Sequence, residues 1–91
     1  MKTPLSDPEI EQRLAELPGW QRSGPAIHRT YRFGDFRAAM TFANRVAEIA
    51  EAQNHHPDIL VRYREVALTL STHDAEGLTE RDFRLARQID A

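Results

Sequence analysis

Three of the chain's 4 histidines, His55, His56 and His73, fall in one stretch that runs from Glu51 to His73. Imidazole is the side chain best matched to moving protons near neutral pH, with a reference pKa of about 6.5. His55 and His56 follow a helical pattern that Pro57 stops, and His73 closes a strand-like run. Helix exits and strand ends project side chains into clefts while their backbones stay anchored. Histidines there could serve opposite sides of a small substrate, one giving a proton as another accepts one. Glu51 precedes His55 by one helical turn, so a shared helix face would let its carboxylate fix a tautomer or hold a donor group of a ligand. Taken singly, histidines in such places are more often surface or capping residues; their clustering is what points to catalysis. Imidazole and carboxylate also bind zinc or iron, which makes a metal site the second reading. It is the weaker one, because adjacent histidines diverge in an extended chain and no pair of histidines stands at i, i+4 on a helix. The chain has no cysteine, which excludes disulfides and thiolate ligands. It has no phosphate-cradling glycine loop and no Ser-His-Asp signature.

The elements that must bring these residues together can be read in order. Ser6-Asp7-Pro8-Glu9 predicts a helix start with a capping box, Ile10, Leu14 and Leu17 share one face of that helix, and Pro18-Gly19 ends it. Trp20-Gln21-Arg22 is a short strand candidate before a turn at Ser23-Gly24-Pro25. Ile27, Arg29, Tyr31 and Phe33 then alternate with Ala26, His28, Thr30 and Arg32, which is strand periodicity. Gly34 breaks that strand and Asp35 caps the strongest helix, whose apolar stripe from Phe36 to Ala50 runs on through Glu51. Ile59, Val61 and Tyr63 occupy odd positions, whereas Val66, Leu68 and Leu70 occupy even ones. A turn or bulge near Arg64-Glu65 would place both sets, Tyr63 included, on one sheet face. After Gly77, Thr79 caps a last helix, Asp82 sits where a capping partner would, and Phe83, Leu85, Ala86 and Ile89 mark its buried side. Arg81, Arg84 and Arg87 form a stripe expected to be wet. Trp20 is expected in the hairpin core, His28 on the solvated side.

The order α-β-β-α-β-β-α implies an α+β two-layer sandwich, a four-stranded antiparallel sheet with helices on one face. The 91 residues suffice for one domain, 1–91. The core of such a chain is thin, so self-association is a plausible further source of burial. A net charge of −2, with the two signs interspersed, offers no basic face for nucleic acid. No apolar run reaches membrane-spanning length and the start carries no signal-peptide core, so the expected location is the cytoplasm.

The spaced set Glu51-x3-His55-His56-Pro57-x5-Tyr63-x9-His73-x8-Asp82 resembles the signature of the pterin-4a-carbinolamine dehydratases. Gly19-Trp20, Phe33-x-Asp35-Phe36, Leu70-Ser71-Thr72-His73 and Gly77-Leu78-Thr79-Glu80-Arg81-Asp82 match as well, so the likeness covers nearly the whole chain up to Ile89. The resemblance implies loss of water from 4a-hydroxytetrahydrobiopterin, the spent cofactor of aromatic amino-acid hydroxylases, to give quinonoid dihydrobiopterin, with no metal or redox cofactor. It implies that His55 and His73 are the acid-base pair and that His56 holds the pterin and stabilises charge. Pro57 would shape the loop, Thr72, Asp74 and Ala75 would line the site beside His73, and Glu51 and Trp20 would border it. It also implies a homodimer or homotetramer. The alternative is a non-catalytic module of the same fold that binds a pterin or a protein partner.

Overall fold

A computed structural model describes residues 3–91. Helix α1 spans Asp7–Leu14, strand β1 Gln21–Ser23, β2 Ala26–Arg32, helix α2 Phe36–Gln53, β3 Asp58–Arg62, β4 Glu65–Leu70 and helix α3 Glu80–Ile89, with a 3₁₀ turn at His73–Ala75. The four strands form one antiparallel sheet in the order β1-β2-β4-β3. This is the α+β arrangement that the sequence predicts.

Each helix begins where its capping residues lie. The Ser6 N–H donates to the Glu9 carboxylate at 2.9 Å, and the Ser6 hydroxyl accepts from Glu9 N–H. The Asp35 carboxylate accepts from Ala38 N–H at 2.8 Å. Three boundaries differ from expectation. α1 stops at Leu14, leaving Leu17 buried in the turn that follows. β1 starts one residue later, at Gln21. The β3–β4 loop is Tyr63-Arg64 rather than Arg64-Glu65, because Arg62 already pairs with Glu65.

That loop also explains the switch from odd to even positions. Val61 pairs with Val66 and Ile59 with Leu68, so cross-strand partners always have numbers of opposite parity. Both sets therefore face the same side, and a side-chain period of two is preserved across the hairpin. Tyr63 does not join them: it lies in the loop itself and is 67% exposed. Ile27, Val66, Leu68 and Leu70 are fully buried with Val46, Phe83, Leu85 and Ala86 from α2 and α3. α2 packs on β3, β4 and α3. The opposite sheet face carries rows such as Gln21, His28, Thr69 and Asp58, or Arg32, Glu65 and Arg62.

Arg29, the one charge on the apolar side of β2, is neutralised. Its guanidinium donates to Pro18 O at 2.9 Å and to Asp90 Oδ2 at 3.1 Å, and stacks 4.5 Å from the Tyr31 ring centroid. Gly19 has a φ of +94°, which favours glycine, and a Cβ there would lie 2.7 Å from that guanidinium and push it aside. Asp90 also accepts from Trp20 Nε1 at 2.8 Å and from the Tyr31 hydroxyl, which fastens the end of α3 to the sheet. At the other end of α3, Glu80 accepts from Arg13 Nε at 2.6 Å and from Arg87 at 2.7 Å, and Arg87 and Arg13 together hold its carboxyl below the usual carboxylate range.

Desolvation, and after it the hydrogen bond and charge of Asp90, raise the Tyr31 pKa above its ordinary value. The folded protein thus holds the phenolic proton more tightly than the unfolded chain. The resulting stability is fully present below the ordinary tyrosine value of about 10 and is lost as pH climbs through the folded value. In ultraviolet difference titration, Asp90→Asn is expected to bring the Tyr31 transition to lower pH, and the alkaline loss of stability should shrink with it.

Candidate active site

The exit of α2 sets the direction of the first histidine. Asn54 adopts the left-handed conformation, with φ 51°. Its N–H reaches Glu51 O at 3.2 Å, and His55 N–H reaches Ala50 O at 3.1 Å. These two bonds form a Schellman ending, which asparagine tolerates better than most residues. His55 is thereby turned under the fold, where it is only 7% exposed. Its Nε2 lies 2.6 Å from Asp82 Oδ1.

Asp82 is fully buried and both its oxygens are used. Oδ2 accepts from Thr79 N–H at 3.0 Å and from the Thr72 hydroxyl at 2.8 Å. The Thr79 hydroxyl accepts from Arg81 N–H at 3.3 Å and stands 2.7 Å from that of Thr72, to which it donates. Every other partner of Asp82 is a donor, so the complementary assignment is that His55 Nε2–H donates and Nδ1 is left to exchange a proton. One carboxylate therefore caps α3, anchors the exit of β4 through Thr72, and orients an imidazole at the exit of α2.

The second and third histidines are exposed. His56 Nε2 meets the Glu51 carboxylate. The expectation that Glu51 shares a helix face with His55 is corrected here: α2 ends at Gln53, and the left-handed residue after it rotates His56, not His55, toward Glu51. His73 opens the 3₁₀ turn after β4. A bridge between Thr72 and Gly77 closes the base of that turn, with Thr72 N–H reaching Gly77 O at 3.0 Å. Glu76 takes the left-handed position inside it, with φ 57°.

His55, His56 and His73 line one cleft of about 300 Å³, together with Asn54, Ser71, Thr72, Asp74 and Arg81. A neighbouring cleft of about 320 Å³ lies across the Ser71–Thr72–His73 segment, bounded by Pro25, Glu76 and Gly77. Thr72 and Asp74 stand beside His73 in the lining of the histidine cleft. Glu51 is on the rim through His56. Pro57 follows the histidines without lining the cleft, and Ala75 is buried in the 3₁₀ turn. Trp20 does not border this cleft. Its indole N–H needs a buried acceptor, and Asp90 supplies one at 2.8 Å, beside Tyr31 in the core.

Arg81 is the site residue that sequence reasoning missed. Expected on a wet stripe, it turns back and donates to Asn54 O at 2.8 Å, pinning the segment that carries His55 and His56. Its position next to Asp82, in the first turn of α3, was the available signal. Among the described residues, no three histidine, aspartate or glutamate side chains gather as a metal's ligand set. No helix among them is long and apolar enough to cross a membrane.

Residues 3–91 match the family described as Pterin 4 alpha carbinolamine dehydratase. A protein from Thermomicrobium roseum named "Putative pterin-4-alpha-carbinolamine dehydratase" is 56% identical over 85 residues, 93% of this chain and 91% of its own. One of the same name from Roseiflexus sp. is 54% identical over 90 residues, 99% and 97% of the two chains. The crystal structure of a protein from Brucella melitensis described as a transcriptional coactivator/pterin dehydratase superposes with a TM-score of 0.93 at 37% identity, covering 97% of this chain and 96% of that one. A pterin dehydratase-like protein identified as a RuBisCO assembly factor in the alpha-carboxysome shares the fold, with a TM-score of 0.64 at 22% identity over 78% of this chain and 82% of that one.

Asp82→Ala would leave Thr72, Thr79 N–H and His55 without their buried acceptor at once. A loss of about 3 kcal/mol in urea unfolding is expected. His73→Ala, at an exposed position, should change stability by less than about 0.5 kcal/mol.

Proposed function

The chain belongs to the pterin 4 alpha carbinolamine dehydratase family, and from that premise we propose that it removes water from 4a-hydroxytetrahydrobiopterin to give quinonoid dihydrobiopterin. The observation that carries the reading is the meeting of three imidazoles, from two separate chain segments, in a cleft of about 300 Å³. In this reaction the C4a hydroxyl departs with a proton from an acid, and a ring nitrogen gives up a proton to a base. The substrate loses one water and no electrons, so histidines suffice. His55 and His73 form the acid-base pair. Asp82 keeps Nε2–H of His55 occupied, which leaves Nδ1 as the atom facing the proton exchange. His56, steadied by Glu51, holds the pterin and offsets charge. Thr72 and Asp74 take part in binding beside His73; Pro57 and Ala75 act by shaping their loops.

The reaction that must supply this substrate is aromatic ring hydroxylation by a pterin-dependent enzyme, in the cytoplasm. Self-association as a dimer or tetramer is supported by the thin core and by Ile59 and Leu60, which are 37% and 53% exposed on the edge strand β3.

The test follows the decay of the 4a-carbinolamine absorbance with purified protein and a chelator. His55→Ala and His73→Ala are each expected to lower kcat by about 10²–10⁴-fold, with circular dichroism confirming that each variant is folded. Full activity in the double variant would sink the assignment. Pterin binding without turnover in the wild-type chain would favour the binding module instead.

A further inference from the structure

A separate cleft of about 300 Å³ opens at the β3–β4 hairpin, lined by Arg32, Phe33, Arg62, Tyr63, Arg64 and Glu65. It sits at the end of the sheet where Arg32 pairs with Glu65. The histidine cleft follows Leu70, at the other end of β4, on the order of 20 Å away at strand spacing.

The backbone here is unusual. The two-residue loop has a positive φ at its first position, Tyr63 with φ 50°, and not at its second. That is the pattern of a type II′ turn, whose first position is normally glycine. A bulky residue there is strained, and burial does not compensate, since the Tyr63 side chain is 67% exposed. Its ring contact is with Arg64, whose guanidinium stands 5.3 Å from the centroid. Tyr63 is thus an exposed aromatic at a position where glycine would be free of that strain.

Three guanidiniums line the same cleft. Arg32, Glu65 and Arg62 form one cross-strand row, and Arg32 donates to Glu65 at 3.0 Å. One carboxylate against three cations leaves the cleft at +2 in a chain whose net charge is −2. The floor is fixed: Phe33 N–H donates to Arg64 O at 2.9 Å, and the Phe33 ring packs 5.1 Å from Phe42.

We propose that this cleft is a second ligand site, for a phosphomonoester carried on a flat heteroaromatic ring, as in a mononucleotide. A phosphomonoester carries nearly two negative charges at pH 7, which matches the local +2. Guanidinium forks bind phosphate in two-point fashion, and the exposed Tyr63 ring offers a planar heterocycle a stacking surface. The site is independent of the histidine cleft and stands whether or not the dehydration is correct.

The experiment is an NMR titration of the full chain with adenosine 5′-monophosphate, adenosine and inorganic phosphate in separate arms. The amides of Arg62 to Glu65 and Phe33 should shift with the mononucleotide, and either half alone should bind about tenfold more weakly or worse. Equal binding by phosphate alone would reduce the site to an anion contact and overturn the proposal. Arg62→Ala should weaken mononucleotide binding about tenfold while leaving carbinolamine turnover unchanged. Tyr63→Gly should remove the ring's contribution while the melting temperature holds or rises, which separates lost binding from lost fold. Unchanged affinity in both variants, or no shift at those amides up to about 10 mM nucleotide, would also overturn it.

Discussion

The Asp82 carboxylate is the constraint on which the rest depends. A buried anion is costly unless its lone pairs are met by donors, and here the donors come from three parts of the chain: Thr79 N–H at the start of α3, the Thr72 hydroxyl at the exit of β4, and His55 after the exit of α2. Satisfying one charge therefore brings three element ends to one point. The same bonds that cap a helix and close the core also orient an imidazole, so fold and site are inseparable at this residue. His56 and His73 differ: both are exposed, and His56 meets the nearby Glu51 carboxylate, so their chemistry is separable from the stability of the fold.

Much of this was legible beforehand. Capping patterns at Ser6, Asp35 and Thr79, the alternation in β2 and the stripe of α2 are local signals, and local signals survive folding when tertiary packing agrees with them. The parity change between Val61 and Val66 pointed to a hairpin and was off by one residue in its loop. What escaped notice depended on contacts distant in sequence. Trp20 lies in the core as its amphipathic character suggests, but nothing near it announces that its indole will find Asp90 seventy residues on. Arg81 looked like one of three solvated arginines because its partner, Asn54 O, is a backbone atom exposed by a left-handed residue. The shift of Glu51 from His55 to His56 has the same origin: one positive φ at Asn54 ends the helical count.

Among the described residues, three non-glycine positions adopt positive φ: Asn54, Tyr63 and Glu76. Asn54 and Glu76 flank the histidine cleft, and each ends a helical segment with backbone bonds that account for the conformation. Such strain costs on the order of 1 kcal/mol or more and persists where the surroundings over-determine it. At Asn54, Arg81 adds a clamp on the carbonyl to those backbone bonds. Tyr63 stands apart from both, because its loop would close as well around glycine and its side chain finds no shelter.

The two ends of β4 thus follow opposite electrostatic logic. At its exit, a negative charge is buried, every lone pair is occupied, and the resulting rigidity fixes one imidazole in a defined tautomer. At its start, positive charges remain in water, and among the described residues Arg32 is the arginine of the row paired directly with a carboxylate. Exposed ion pairs add little to stability, so the fold places few demands on the arginine row, whereas Asp82 is bound by all of them. A sheet only four strands wide can keep these regimes apart because screening at physiological salt weakens fields between exposed groups beyond about 8 Å, well short of the strand that separates them. The buried end can therefore be tuned by packing and the exposed end by charge, with little interference between them.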